Sequence, residues 1–195
     1  MQYYIYSLVC FLLPGTVWLI WNKGMIADKA YKVRHIIWIY IYLFYGYLAV
    51  QEAAGIGTIW DLIAYGKLDN SINLIPFSSE GAMTYILNII MFMPLGFLLP
   101  LIWKNFRNAK KVVLMGFLMS LAIEICQLFN IRTTDIDDLM MNTLGTLVGY
   151  CCWKVFSLIF RNAGTKCVEM KKSEPVIYMF GGILGLFLLY NWRVF

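Results

Sequence analysis

Charge is scarce in this chain: 14% of its 195 residues are Asp, Glu, Lys or Arg, where an ordinary soluble domain carries roughly a quarter. Too few charges remain to cover a solvated surface. Histidine is almost absent, and the single one, His35, has no acidic partner in view, which argues against a catalytic histidine. There is no HExxH, no nucleophile elbow and no Gly-rich phosphate loop, so the zinc-protease, serine-hydrolase and nucleotide-binding classes lack their signatures. The five cysteines, Cys10, Cys126, Cys151, Cys152 and Cys167, form no CxxC pair. They read as buried thiols rather than a metal site or a disulfide framework. Met1 to Ser7 lacks the basic residues of a signal peptide, and Ser7-Leu-Val-Cys10 is a poor lipoprotein cleavage site, so the first apolar run is expected to stay as an uncleaved helix. Internal repeats and low-complexity segments are also missing.

Apolar sequence fills the space left by those absences. Hydrophobic residues make up 61% of the chain, and they fall into six runs: Ile5–Trp21, Ile36–Ala54, Met83–Trp103, Val112–Phe129, Leu139–Phe160 and Val176–Trp192. Each is close to the ~20 residues that cross a hydrocarbon core about 30 Å thick. The expected fold class is therefore all-α: a polytopic transmembrane bundle of about six helices. Trp18, Trp21, Trp38, Trp103 and Trp192 sit near run ends, as interfacial aromatic belts do.

Loop charge gives the orientation. The segment 22–35 carries Lys23, Lys29, Lys32 and Arg34; 104–111 carries Lys104, Arg107, Lys110 and Lys111; 161–175 carries Arg161, Lys166, Lys171 and Lys172. These hold twelve of the sixteen basic residues, which places the three loops in the cytoplasm and both termini outside. A net charge of +5 distributed in this way argues against a nucleic-acid partner. The opposite side collects the acids: Asp61, Asp69, Glu80, Asp135, Asp137 and Asp138, with Glu52 and Glu124 near outer helix ends. The outer loop of about 55–82 includes a short amphipathic stretch, Thr58–Tyr65, expected to lie in the interface.

One stretch concentrates polar chemistry. Glu124 and Gln127 are three apart and share a face of the fourth run; Asp138 and Asn142 are four apart on the fifth. Gly145 and Gly149 continue that stripe as a GxxxG, which admits close helix approach. On the third run, Asn88 shares a stripe with Phe92 and Gly96, and Pro94 is expected to kink the helix. The outer ends of these helices are thus expected to gather Asn88, Glu124, Gln127, Arg132, Asp135, Asp138 and Asn142. An ionisable residue within a membrane helix points to function. The plainer explanations are a Glu124–Arg132 pair gluing two helices, and capping plus helix-dipole complement by Thr134 or Asp135 and the neighbouring acids. Clustered carboxylates also suit a cation: Glu124, Asp135 and Asp138 are the candidate ligands if a metal is held, with Mg²⁺ or Ca²⁺ as the fitting ions.

The motifs Asn73-Leu-Ile-Pro76-Phe77, Asn88-Ile-Ile-Met-Phe92-Met-Pro94-Leu-Gly96, Ile123-Glu124-Ile-Cys-Gln127, Arg132-x-x-Asp135-x-Asp137-Asp138 and Asn142-x-x-Gly145, taken in order, resemble the VanZ-like family. The resemblance is strongest over roughly 71–160. It divides the chain into an N-terminal hairpin with an outer interfacial segment (1–70), a VanZ-like core of three helices (71–160), and a cytoplasmic loop with a C-terminal helix (161–195). It implies a bacterial plasma-membrane protein, mainly of Gram-positive bacteria, linked to lowered susceptibility to teicoplanin-type glycopeptides. The family's recurring polar positions fall on the seven candidate residues above.

The expected function is a non-hydrolytic envelope protein. Its outward pocket would bind an envelope lipid or phosphate headgroup, such as a lipid-linked cell-wall precursor, or a glycopeptide. Two alternatives stand beside it: a metal-dependent enzyme acting on an envelope lipid or polyprenyl phosphate, and a small lipid flippase, for which a homodimer through Gly145 and Gly149 would compensate for the missing repeat.

Overall fold

The computed structural model describes residues 2–22, 29–65, 72–77, 81–129, 134–160 and 171–194. Its helices are α1 (Gln2–Asn22), α2 (Lys29–Tyr47), a short α3 (Ile59–Tyr65), α4 (Ala82–Ile102), α5 (Ala109–Gln127), α6 (Ile136–Ile159) and α7 (Glu174–Leu189). The fold is an all-α bundle. Two residue pairs, β1 (Ile72–Asn73) and β2 (Thr134–Asp135), form a minimal parallel ladder in which Ile72 faces Thr134 and Asn73 faces Asp135.

Three described segments are both long and apolar enough to cross a membrane: Gln2–Asn22, Lys32–Ala64 and Ala82–Ile102. The other long helices follow the expected runs but differ in composition or length. Lys110, Lys111 and Glu124 lie within α5, and Asp137, Asp138 and Lys154 within α6. Helix α7 has 16 residues, about 24 Å of rise. These helices also turn large apolar side chains outward: Leu114, Leu118 and Ile125 on α5, Val155, Leu158 and Ile159 on α6, and Leu184 and Leu188 on α7 are all exposed. Exposed apolar side chains in such number are consistent with a membrane-facing exterior.

Small residues set the tightest packing. The most extensive helix pair is α4 with α6, and its seam is backbone on backbone. A Cβ added at Gly96 would overlap the Thr146 carbonyl; at Gly145, the Ile89 carbonyl; at Gly149, the Met93 carbonyl. The GxxxG stripe therefore meets α4 within the chain. A similar contact joins α1 to α7, where a Cβ at Gly185 would overlap the Cys10 carbonyl. Between α4 and the other helices the core closes over Phe11, Tyr42, Leu43, Phe92, Leu95 and Trp103.

Helix α4 remains continuous through Pro94 and Pro100. Each proline removes one ladder bond; near the first, the Tyr45 hydroxyl from α2 donates to the Met91 carbonyl at 2.9 Å, and at the helix end Arg107 Nε donates to the Pro100 carbonyl at 3.4 Å. Unforeseen in the sequence, α2 continues as a π-helix over Leu48–Ala54, ending at Gly55 with φ 64°. The short helix expected within Thr58–Tyr65 is present as α3.

A second departure lies at the end of the bundle where α2 and α7 begin. His35 is buried and has a partner: its Nε2 lies 2.8 Å from Glu174 Oε1. Trp103 Nε1 donates to Glu174 Oε2 at 3.0 Å, and the Tyr178 hydroxyl to Glu174 Oε1 at 3.1 Å. Glu174 is fully buried in the first turn of α7, where the helix dipole favours an acid. Trp103, expected at an aromatic belt, is 1% exposed and works here as a donor. The partners lie 139 and 71 residues apart in sequence, so no local pattern announces them.

Candidate functional site

At the opposite end, the N-terminus of α6 meets α4, α5 and the loop 72–77. Asp135 is the N-cap of α6, its side chain accepting the Asp137 N–H at 2.9 Å. This is the use expected of an Asp at that place. Its other oxygen accepts from Asn73 Nδ2 at 3.0 Å, continuing the pairing of β1 with β2. The Asp135 N–H donates to Glu124 Oε2 at 3.2 Å, so Glu124 on α5 is bound to the turn that starts α6.

Asp137 proves more central than its place in the acidic run suggested. It is fully buried. Its carboxylate accepts the Phe77 N–H at 2.8 and 3.0 Å and the Tyr85 hydroxyl at 2.9 Å. Phe77 has φ 61°, the left-handed region that a bulky residue rarely adopts. The carboxylate of Asp137 thus holds the loop in a strained turn, the kind of backbone that clusters at functional sites. Asp138, one residue on, is partly buried and accepts a hydrogen bond from Asn88 Nδ2 on α4.

Deeper in the bundle, Asn142 Nδ2 donates to Ser120 Oγ at 2.9 Å, and the Asn142 carbonyl accepts from Thr146 Oγ1 at 3.0 Å. Asn142 Oδ1 is buried and has no hydrogen-bond partner among the described residues. Gln127 also reaches the π-helix: its Nε2 donates to the Ala54 carbonyl at 3.0 Å, tying the last turn of the π-helix to α5.

The structure therefore brings together Glu124 with Asp135, Asn88 with Asp138, and Asn142 with Ser120, in three linked layers, and sets Gln127 beside them. Arg132 lies outside the described residues, and with it the Glu124–Arg132 pair considered above. Pro94 is exposed on α4, while Gly96, Gly145 and Gly149 form the seam beneath the cluster. Sequence reasoning passed over Asp137, Asn73 and Tyr85 as site residues. Asn73 and Asp137 both lay in quoted motifs, and the run Asp135-x-Asp137-Asp138 was the available signal. Among the described residues no group of three His, Cys, Asp or Glu side chains is arranged to hold a metal ion. Glu124, Asp135, Asp137 and Asp138 each accept N–H or O–H donors.

The loop held by these acids has an apolar tip. Leu74, Ile75 and Phe77 are each more than 60% exposed (69%, 68% and 64%), directly beside the carboxylates that anchor them. This end of the molecule therefore offers apolar prongs and a polar cluster side by side.

A family model described as VanZ/LLP1 matches residues 5–157, taking in α1 and α2 as well as α4, α5 and most of α6. The chain is also 34% identical over 134 residues to Protein VanZ of Enterococcus faecium, an alignment covering 68% of this chain and 77% of that protein. No solved structure matches it. The matched span includes every candidate residue named above, and on these findings the chain belongs to the VanZ/LLP1 family.

Proposed function

We propose that this protein is a multi-pass bacterial plasma-membrane protein whose outer polar end engages a phosphate-bearing or lipid-linked envelope headgroup. We further propose that it lowers susceptibility to teicoplanin-type glycopeptides. The observation that carries the reading is the loop 72–77: an exposed apolar tip of Leu74, Ile75 and Phe77 fastened to a buried carboxylate cluster by Asp135 and Asp137. An amphipathic ligand, with an apolar tail and a polar head, suits such a juxtaposition. Arg132, in the connection between α5 and α6, is the phosphate-contacting side chain in this scheme.

The orientation follows from charge and packing together. The ends joined by Glu174 are those next to Lys- and Arg-rich segments, and the ends joined by Asp135 are next to the acidic ones. Under the positive-inside rule the polar cluster then faces outward, where cell-wall precursors and glycopeptides meet.

The test is teicoplanin susceptibility of a sensitive Gram-positive host making wild type, Asp138→Asn or Arg132→Ala at matched membrane levels. Protection by wild type that both variants lose supports the reading. Equal protection by all three would remove the outer end from the function. Turnover of a polyprenyl phosphate that stops with EDTA would replace the binding role with a metal-dependent enzyme.

A further inference from the structure

A second amphipathic feature lies at the other end of the molecule, between α1 and α7. A groove of about 470 Å³ opens there, within the rough range of 300–1,000 Å³ typical of small-ligand sites. Its apolar walls are Val17 on α1 and Ile177 and Gly181 on α7. Its end is different in kind. Lys171, just before α7, stands over the Trp18 ring with Nζ 6.0 Å from the centroid, and Trp21 beside it is 87% exposed.

The two ends are ordered along the membrane normal. Counting along α1, Val17 lies deeper than Trp21; along α7, Gly181 lies deeper than Ile177, and Lys171 precedes the helix. The apolar walls therefore run toward the bilayer middle. The ammonium group and the indoles stand at the basic, cytoplasmic edge, where Trp and Lys anchor at lipid headgroups. Lys172 follows at once and is also exposed.

We infer that this groove is a binding site for an anionic phospholipid of the cytoplasmic leaflet. The acyl chain lies along Val17, Ile177 and Gly181, and the phosphate sits against Lys171 between Trp18 and Trp21. The charge complementarity is local: a cation held by one indole and flanked by another at the mouth of an apolar channel. The inference rests on the membrane orientation proposed above but not on the outer ligand, because it uses none of the outer residues.

The test is lipid retention by the whole protein. Wild type, Lys171→Ala and Lys104→Ala are reconstituted into vesicles of nine parts phosphatidylcholine to one part phosphatidylglycerol, then extracted gently and weighed by native mass spectrometry. Wild type is expected to keep one phosphatidylglycerol in preference to phosphatidylcholine, and Lys171→Ala to lose about fivefold of that preference, the scale of one lysine at an anionic surface. Lys104→Ala, an exposed lysine outside the groove, is expected to keep it. An equal loss in both variants would reduce the effect to diffuse attraction by basic loops and overturn the site. Unchanged retention in Lys171→Ala would overturn it too, as would displacement of the lipid by millimolar inorganic phosphate, which would make this a free-anion site. Because lipid retention is read independently of teicoplanin susceptibility, either proposal can fail alone.

Discussion

Single buried carboxylates do more in this protein than the acidic cluster as a group. Asp137 accepts three donor contacts, two from the Phe77 N–H and one from Tyr85. Replacing it with Ala leaves a buried N–H and hydroxyl without an acceptor and releases a strained turn. The expected cost is about 3 kcal/mol, read as a lowered midpoint in thermal unfolding of the detergent-solubilised protein. Asp137→Asn keeps one acceptor oxygen and is expected to fall between the two. Glu174 poses the same test at the other end. Glu174→Ala strands His35, Trp103 and Tyr178 together, and a loss of about 3 kcal/mol is expected for leaving buried donors without an acceptor; Glu174→Gln retains an acceptor and loses less. Sequence reading took Asp135 and Asp138 as candidates because they lie in a dense local motif. It could not find Glu174: Tyr178 lies one turn along the same helix, but His35 on α2 and Trp103 just after α4 reach it only when the bundle closes.

Among elements, the pair α4–α6 is the most closely packed. Its glycines let two backbones touch, so the seam is decided by volume and not by side-chain chemistry. Gly149→Leu is expected to force the helices apart, at 1–3 kcal/mol or somewhat more for overpacking, and to shift the SDS-unfolding midpoint sharply. Gly81→Ala is the contrast: an added Cβ there meets nothing within 4 Å, and the change is expected to stay within about 0.5 kcal/mol. The GxxxG spacing made a close contact legible in advance. Its partner was not legible, because small residues specify a distance of approach and leave the neighbour open; α4 supplies it. Helix boundaries shifted for local reasons, as at the start of α6, which the Asp135 cap sets at Ile136, ahead of the apolar run that begins at Leu139. The π-helix at Leu48–Ala54 left no mark in the sequence; the Gln127 amide that donates to its last carbonyl, Ala54, lies 73 residues away.

For the molecule as a whole, the alternation of basic and acidic loops and the ends defined by hydrogen bonding agree on which helix termini lie together. A cysteine-free variant carrying Lys104→Cys is expected to resist a membrane-impermeant maleimide in intact cells, and one carrying Trp192→Cys to react; the reverse pattern would invert the molecule and turn the polar cluster inward. Composition alone made the helical, apolar character plain. What it could not give was the order of packing. The chain reads as a core over 71–160 with flanking additions, but in space α1 pairs chiefly with α7, and α2 is bound to α4 and α7.

That pairing has a consequence in time. Helices enter a membrane in the order of synthesis, N-terminal first, so α1 is made early and α7 is the last of the seven described. Until α7 arrives, α1 has α2 beside it, through Phe11 against Tyr47, but the side around Cys10 that meets Gly185 has no neighbour, and His35 waits without its acid. The first helix thus spends nearly the whole of translation unfinished. A nonsense mutation anywhere before residue 174 would strand the beginning of the protein as surely as its end, and the cell's quality control would meet the damage at α1.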